Sequence, residues 1–236
     1  MPVTALIVAA GKGERLGGGL PKQFRPLAGK PVLRWAVGSL IAHPAVHRLR
    51  VVIGEGQREV AAAALSSLDI GPLIDGGVER ADSVRAGLAA VEDDVVIVHD
   101  AARPFCPPSV VDRLVSAMEF YPGAVPVLTV SDTMAKAGNE LGEAVDRKGL
   151  VRVQTPQAFR TDILRSSYEA WSGPPPTDEA TVVRAAGHNV AAVDGDPSLD
   201  KITTAEDFAR TEQWLAGRLV PRSGMGFDVH AFAGDG

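Results

Sequence analysis

The chain has 236 residues, 45% of them hydrophobic and 22% charged, with a net charge of −5 and one cysteine. At about 100–200 residues per domain this is one large domain, or one domain with a remainder, and it holds enough apolar content to bury a core. The acidic balance argues against a non-specific nucleic-acid binder, no apolar run reaches the ~18 residues of a membrane helix, and the opening residues do not read as a secretory signal.

Residues 4–10 form a continuous apolar run that ends at Gly11, the pattern of a strand buried on both faces. Between Gly11 and Lys30 the charge reverses. Lys12, Arg15, Lys22, Arg25 and Lys30 face a single acid, Glu14, giving net +4. The same stretch holds Gly11, Gly13, Gly17, Gly18 and Gly19. Glycine lets backbone N–H groups approach a ligand, and the cations supply charge, so this stretch reads as a phosphate-binding loop.

Pro31 opens a helical pattern with Val32, Leu33, Trp35, Ala36 and Leu40 on its apolar face, and Trp35 and Leu40 read as core. A strand over residues 50–53, a helix over 57–68 and a helix over 83–91 follow. Residues 95–98 read as a further buried strand, ending at His99 and Asp100. His99 reads as a satisfied structural histidine, whereas Asp100 beside it reads as part of a site. Cys106 alone cannot build a disulfide framework or a zinc finger, which suits a reducing cytoplasm. Pro107 and Pro108 precede a helix carrying Val111, Leu114, Val115 and a core Met118. A strand over 125–130 comes next.

Residues 131–154 break the alternation. This polar, glycine-containing stretch predicts short antiparallel strands around 133–136, 143–146 and 150–153, forming an arm that lids a site, grips a second subunit or is a plain surface hairpin. The pattern resumes with a helix over 162–171, a rigid loop at Gly173-Pro174-Pro175-Pro176 and a strand over 190–193. A capping box from Thr203 to Glu206 opens a last helix through Phe208 and Leu215. Strands alternating with helices imply a mostly parallel sheet covered on both faces, with ligands beyond the carboxyl ends of the strands.

The glycine loop fits neither common phosphate motif. A P-loop needs Ser or Thr after Gly-Lys, but Pro31 follows Gly29-Lys30. The dinucleotide fingerprint lacks its third glycine, which Leu16 replaces. Glu55 can stand in for the ribose-binding acid, so a nicotinamide enzyme stays open. Five cations suit a triphosphate better than a pyrophosphate resting on a helix N-terminus.

The loop Ala9-Ala10-Gly11-x-Gly13-x-Arg15-Leu16 is followed by Pro21-Lys22-Gln23-Phe24. Further along stand Glu79-Arg80-Ala81-Asp82-Ser83-Val84, His99-Asp100-Ala101-Ala102-Arg103-Pro104, Thr155-Pro156-Gln157-Ala158-Phe159, Thr177-Asp178-Glu179-Ala180 and Asp200-Lys201-Ile202-Thr203. In this order, over residues 2–217, they resemble the 2-C-methyl-D-erythritol 4-phosphate cytidylyltransferase family. The resemblance implies a three-layer, Rossmann-like α/β fold of the nucleotide-diphospho-sugar transferase type. It also implies transfer of CMP from CTP to methylerythritol phosphate with release of pyrophosphate, assisted by a divalent ion such as Mg²⁺.

Site roles follow from the resemblance residue by residue. Arg15, Lys22 and Lys201 would act on the triphosphate. Ala10, Gly11, Gly13, Gly77, Asp82 and Ser83 would bind the nucleotide, and Asp100 would lie close to metal, ribose and acceptor. Arg103, Thr133, Arg147 and Thr155 would bind the acceptor. On composition Asp146-Arg147-Lys148-Gly149 reads as a turn, and only the family's arm raises Arg147. That arm crosses to a neighbouring subunit in the family, so a homodimer with a shared site is implied, without nucleic-acid or membrane partners. In the family an Asn and an aliphatic often precede the lysine matching Lys201. Here Leu199 and Asp200 stand there, and Asp200 either pairs with Lys201 or points the other way, as neighbours do in extended backbone.

After residue 218 the sequence changes character. Gly226-Phe227-Asp228-Val229-His230-Ala231-Phe232 resembles the opening strand of 2-C-methyl-D-erythritol 2,4-cyclodiphosphate synthases. In that family Asp228 and His230 would be Zn²⁺ ligands, completed by a later His. The expected organisation is a cytidylyltransferase domain over 1–218, with its arm at about 131–154. Residues 219–236 would be a linker and the start of a second, inactive domain, because catalytic zinc takes three protein ligands.

Overall fold

The computed structural model describes residues 1–11 and 19–218. In chain order its strands are β1 (Val3–Ala9), β2 (Pro26–Leu27), β3 (Lys30–Pro31), β4 (Arg48–Ile53), β5 (Leu73–Asp75) and β6 (Val95–Asp100). They continue with β7 (Gly123–Thr129), β8 (Met134–Ala137), β9 (Leu141–Val145), β10 (Val151–Val153), β11 (Gln157–Arg160) and β12 (Val190–Asp194). The helices are α1 (Val32–Ile41), α2 (Arg58–Ala64), α3 (Arg80–Leu88), α4 (Pro108–Ala117), α5 (Thr161–Ala170), α6 (Glu179–Ala185) and α7 (Ala205–Ala216).

The main sheet runs β10-β7-β11-β6-β1-β4-β5, with β12 also on β7. Strand β1 pairs in parallel with both β4 and β6, and β5 and β12 are also parallel to their neighbours. Only β11 and β10 run antiparallel to the strands they join. This is the expected mostly parallel α/β sheet, and β1, β4, β6, β7 and β12 match the five predicted strands.

The period of two along β1 builds the layers. Val3, Ala5, Ile7 and Ala9 pack with Leu33, Val37 and Leu40 of α1, Leu114 of α4 and Met118 just after it. Leu6 faces the opposite side with Val84, Leu88, Val96, Val98, Phe159 and Leu164. A third cluster joins Leu27, Val32, Ile202 and Leu215. Leu40 and Met118 are core as expected. Trp35 is not: it is half-buried at that third cluster, where its indole donates to the Leu27 carbonyl and its ring meets Phe105 edge-on. A polar N–H at the end of a large ring favours such a position.

Other departures have local causes. The last capping box sits one residue later than expected. Thr204 caps the Asp207 N–H, because the Asp207 carboxylate also accepts from the Thr203 hydroxyl at 2.6 Å and the Thr203 and Thr204 N–H groups. Of the predicted arm strands, β8 and β9 form their own antiparallel hairpin, whereas β10 returns to the main sheet. Strands β5 and β11 and helix α6 lay beyond the sequence reading, being short or, like β11, half polar.

Candidate active site

The site begins where β1 and β6 end side by side, with Val8 in register with Asp100. Beyond β1 the backbone at 9–11 is tied from below. Gln23, on a single 3-10 turn (Lys22–Phe24), is buried and donates through Nε2 to the carbonyls of Ala9 and Gly11, each at 2.7 Å. The Gln57 side chain lies 3.4 Å from the same nitrogen and accepts from the Gly54 N–H at 3.0 Å. Lys22, beside Gln23, donates through Nζ to the Ile202 carbonyl at 2.9 Å. One contact thereby joins the first cation-rich stretch to the segment that carries Lys201.

Asp100 is the electrostatic centre. Its Oδ2 accepts from Lys201 Nζ at 2.7 Å, and its Oδ1 accepts from Arg80 Nε and Nη2, both at 3.1 Å. Burial alone would raise this carboxyl's pKa, but Arg80, then Lys201 and Arg103, hold it well below the ordinary range. Burial likewise opposes the charge on Arg80, and Glu179 and Asp100 outweigh it and raise that pKa. Asp200 turns the other way and pairs with Arg152 at 2.5 Å, as alternation along an extended segment predicts. It leaves Lys201 to Asp100.

Beneath Asp100 lies a fixed scaffold. The Asp100 N–H donates to the Thr155 hydroxyl at 3.1 Å, which donates to His99 Nδ1 at 3.1 Å. His99 Nε2 donates to the Arg103 carbonyl at 2.9 Å, so these contacts specify the Nε2–H tautomer. Burial pushes His99 down to about 4, so it is neutral at physiological pH. It is the satisfied structural histidine its sequence context suggested. Cys106 is also inert, its thiol pushed up to about 12 by burial.

Two cavities open on this centre. One is lined by Ala10, Gly11, Lys22, Gly77, Ser83 and Ala102, among others. The second is lined by Arg103, Val127, Val153, Thr155, Gln157 and Asp178, among others. Arg80, Asp100 and Lys201 line both and form the seam between them. Glycine is required at 77, because a Cβ there would lie 2.3 Å from the Asp82 Cβ.

The fold therefore brings together Ala10, Gly11, Lys22, Gly77, Ser83, Asp100 and Lys201, with Arg103 and Thr155 across the seam. Arg103 Nε is buried with no hydrogen-bond partner among the described residues. Asp82 lines neither cavity. Its carboxylate accepts the Glu79 N–H at 3.3 Å, at the start of α3. Thr133 and Arg147 are exposed on the arm and also line neither, with Arg147 donating to the Ser131 carbonyl. Arg15, Gly13, Asp228 and His230 lie outside the described residues. Gln23 and Glu179 received no role from the sequence, and Arg80 none beyond that of the nucleoside-facing segment 77–83. Each stands inside a quoted motif, but only the fold reveals what its side chain grips.

Comparison with known proteins fits this geometry. The family model "IspD: 2-C-methyl-D-erythritol 4-phosphate cytidylyltransferase" matches residues 3–217. A protein of Rhizorhabdus wittichii named "Bifunctional enzyme IspD/IspF" is 52% identical over 99% of this chain and 61% of its own length. One of the same name from Rhodospirillum rubrum is 45% identical over 97% of this chain and 61% of its own. The chain thus spans about three-fifths of the length of the curated relatives it matches. The crystal structure of 2-C-methyl-D-erythritol 4-phosphate cytidylyltransferase from Thermus thermophilus is 33% identical with a TM-score of 0.79, covering 92% of this chain and all of that one. A family match across nearly the whole described chain, on a fold that gathers the motif residues at one seam, assigns this chain to the 2-C-methyl-D-erythritol 4-phosphate cytidylyltransferase family.

Proposed function

We propose that this chain transfers CMP from CTP to 2-C-methyl-D-erythritol 4-phosphate, a step of isoprenoid precursor biosynthesis. The convergence of Lys22, Lys201 and Asp100 at the mouth of β1 and β6 carries this reading. A phosphate oxygen of the acceptor attacks the α-phosphorus of CTP. The new P–O bond forms as the bond to the β-phosphate oxygen breaks, and pyrophosphate leaves with that electron pair. Both reactants are anions, so the protein's task is to hold them together and stabilise charge that grows on the transferring group. Lys22 and Arg15 hold the triphosphate, and Lys201 meets the α-phosphate at the seam. Gly77 and Ser83 face the nucleoside, while Asp82 contributes by fixing the turn before α3. Arg103, on the wall of the second cavity, takes the acceptor phosphate, and Thr155 shapes that wall.

The donor set suits a lightly held divalent ion. Asp100 is a buried, ionised carboxylate at the seam, and no group of three or more His, Cys, Asp and Glu side chains converges among the described residues. That fits Mg²⁺, which keeps waters and takes phosphate oxygens with one or two carboxylates, and not a caged ion. Bound beside Asp100, such an ion would neutralise phosphate charge.

Thr133 and Arg147 would complete a neighbour's acceptor site in a homodimer. Met134, Leu141 and Val145 are exposed along the arm, which supports a protein-covered surface. The segment holding Asp228 and His230 would begin a cyclodiphosphate synthase domain, in line with the names of the longer relatives, and would take Zn²⁺ only with further ligands. A cytoplasmic location accords with the reading, and no described helix is long and apolar enough to cross a membrane. The test is pyrophosphate release across a panel of nucleotides and acceptors with Mg²⁺. Release is expected with CTP and methylerythritol phosphate. Release only with another pair would move the chain to a sister nucleotidyltransferase.

A further inference from the structure

Among the described residues around the seam, Glu179 is the one acid whose side chain is fully buried, and it lines neither cavity. It stands at the first position of α6, a short helix whose start is clamped to β11. Gln157 Oε1 accepts the Ala180 N–H at 3.2 Å, and Gln157 Nε2 donates to Asp178 at 3.2 Å. Both oxygens of Glu179 are engaged. Oε1 accepts from Arg80 Nη1 at 2.6 Å and from the Tyr168 hydroxyl at 3.1 Å, and Oε2 accepts from Arg80 Nη2 at 3.0 Å.

Arg80 is thus gripped along two edges. Nη1 and Nη2 face Glu179, while Nε and Nη2 face Asp100. A planar guanidinium held on one edge has its other edge fixed in space. That second edge sets one oxygen of Asp100, and the other oxygen sets Lys201 Nζ at 2.7 Å. The alternative is a guanidinium turning about a flexible stem at a site where two cavities meet. A buried ion pair is a poor source of net stability, because desolvation offsets much of the attraction. Its placement at the seam calls for a different reason.

We infer that Glu179 is a positioning residue for the transfer reaction, acting through Arg80 to fix Asp100 and Lys201 at the seam, with the Tyr168 hydroxyl steadying Glu179. The inference rests on the proposed reaction. Because Glu179 itself lines neither cavity, its loss removes no direct substrate contact and falls mainly on turnover. Misplacement of a reacting group by about 1 Å can cost about a hundredfold.

The test is a double-mutant cycle on kcat and KM, with thermal unfolding of every variant. Glu179→Gln should lower kcat about ten- to a hundredfold while the KM for CTP moves less than about threefold. Adding Glu179→Gln to Arg80→Met should lower kcat no further, since the route through Arg80 is already cut. Tyr168→Phe, which keeps the Glu179–Arg80 fork, should cost a few-fold, and nothing more on top of Arg80→Met. It carries the test if Glu179→Gln does not fold. Losses that multiply in the double variants, or a KM that rises with unchanged kcat, overturn the inference while the wild-type activity stands. A wild-type chain that releases no pyrophosphate from CTP and the acceptor overturns the reaction and the inference together.

Discussion

The seam and the arm hold the expected site residues by opposite means. At the seam Asp100, Arg80, Glu179, His99 and Thr155 are buried or nearly so and tied to one another. On the arm Thr133 and Arg147 stand exposed beside the β8–β9 hairpin, whose two strands, among the described residues, pair with each other alone. A site that must organise charge before its ligands arrive needs fixed partners, because preorganised dipoles and charges cost no reorganisation during reaction. A group that a neighbouring subunit presents needs reach instead. The seam's charges are thus tied to one another within one chain, whereas Thr133 and Arg147 line neither cavity.

The sharpest way to break this division is Lys22→Ala. It should reduce kcat/KM by about a hundredfold or more, the scale of removing a charge aimed at a transition state. Near-normal turnover would remove Lys22 from the seam's chemistry. Arg147→Ala should cost about tenfold or more if the arm completes a neighbour's site. Mixing the impaired Lys22→Ala and Arg147→Ala proteins, with exchange of subunits, should then restore about a quarter of wild-type activity, since half the dimers hold one intact site. No recovery despite demonstrated exchange would place Arg147 outside a shared site.

Smaller effects sharpen the seam itself. Asp207 binds the Thr203 and Thr204 segment just after Lys201, and the Thr203 hydroxyl holds its carboxyl down to about 2. Its depressed pKa contributes stability that is present above the ordinary carboxylate range and is lost as pH falls toward 2. Asp207→Asn should cost about 1 kcal/mol at neutral pH, and the difference from wild type should vanish in acid. For His99 the same sign applies in a higher window. A histidine held neutral by burial contributes stability above about pH 6.5 that declines as pH falls toward 4. Nitrogen NMR should find its Nε2–H tautomer still neutral at pH 5.5. A protonated ring there would contradict the buried chain from Asp100 to Arg103.

Much of this division was legible in the sequence. Residues 4–10 and 95–98 are apolar runs that suit a strand covered on both faces, as β1 and β6 are, whereas 190–193 became the half-exposed strand β12. The topology of a parallel sheet then implied that Lys22 and Asp100, after different strands, would share one mouth. What stayed hidden was pairing between distant polar residues. Nothing in Thr177-Asp178-Glu179-Ala180 says that Glu179 is wholly buried, or that Arg80 reaches it and Asp100 at once. Asp82 shows the converse, since a polar residue in a functional motif can serve the backbone. Strand β11 carries no apolar signal at Gln157, which is buried by hydrogen bonds to Asp178 and Ala180.

The central claim is that the seam of Arg80, Asp100 and Lys201 is where nucleotide and acceptor meet. A crystal structure of the chain with CTP, Mg²⁺ and a non-reacting analogue of the acceptor tests it most directly. The α-phosphate should lie within hydrogen-bond reach of Lys201, the triphosphate against Lys22 and the loop after β1, and the acceptor phosphate at Arg103. A triphosphate seated away from Lys22 and Lys201, or both ligands on one side of Asp100, would contradict it.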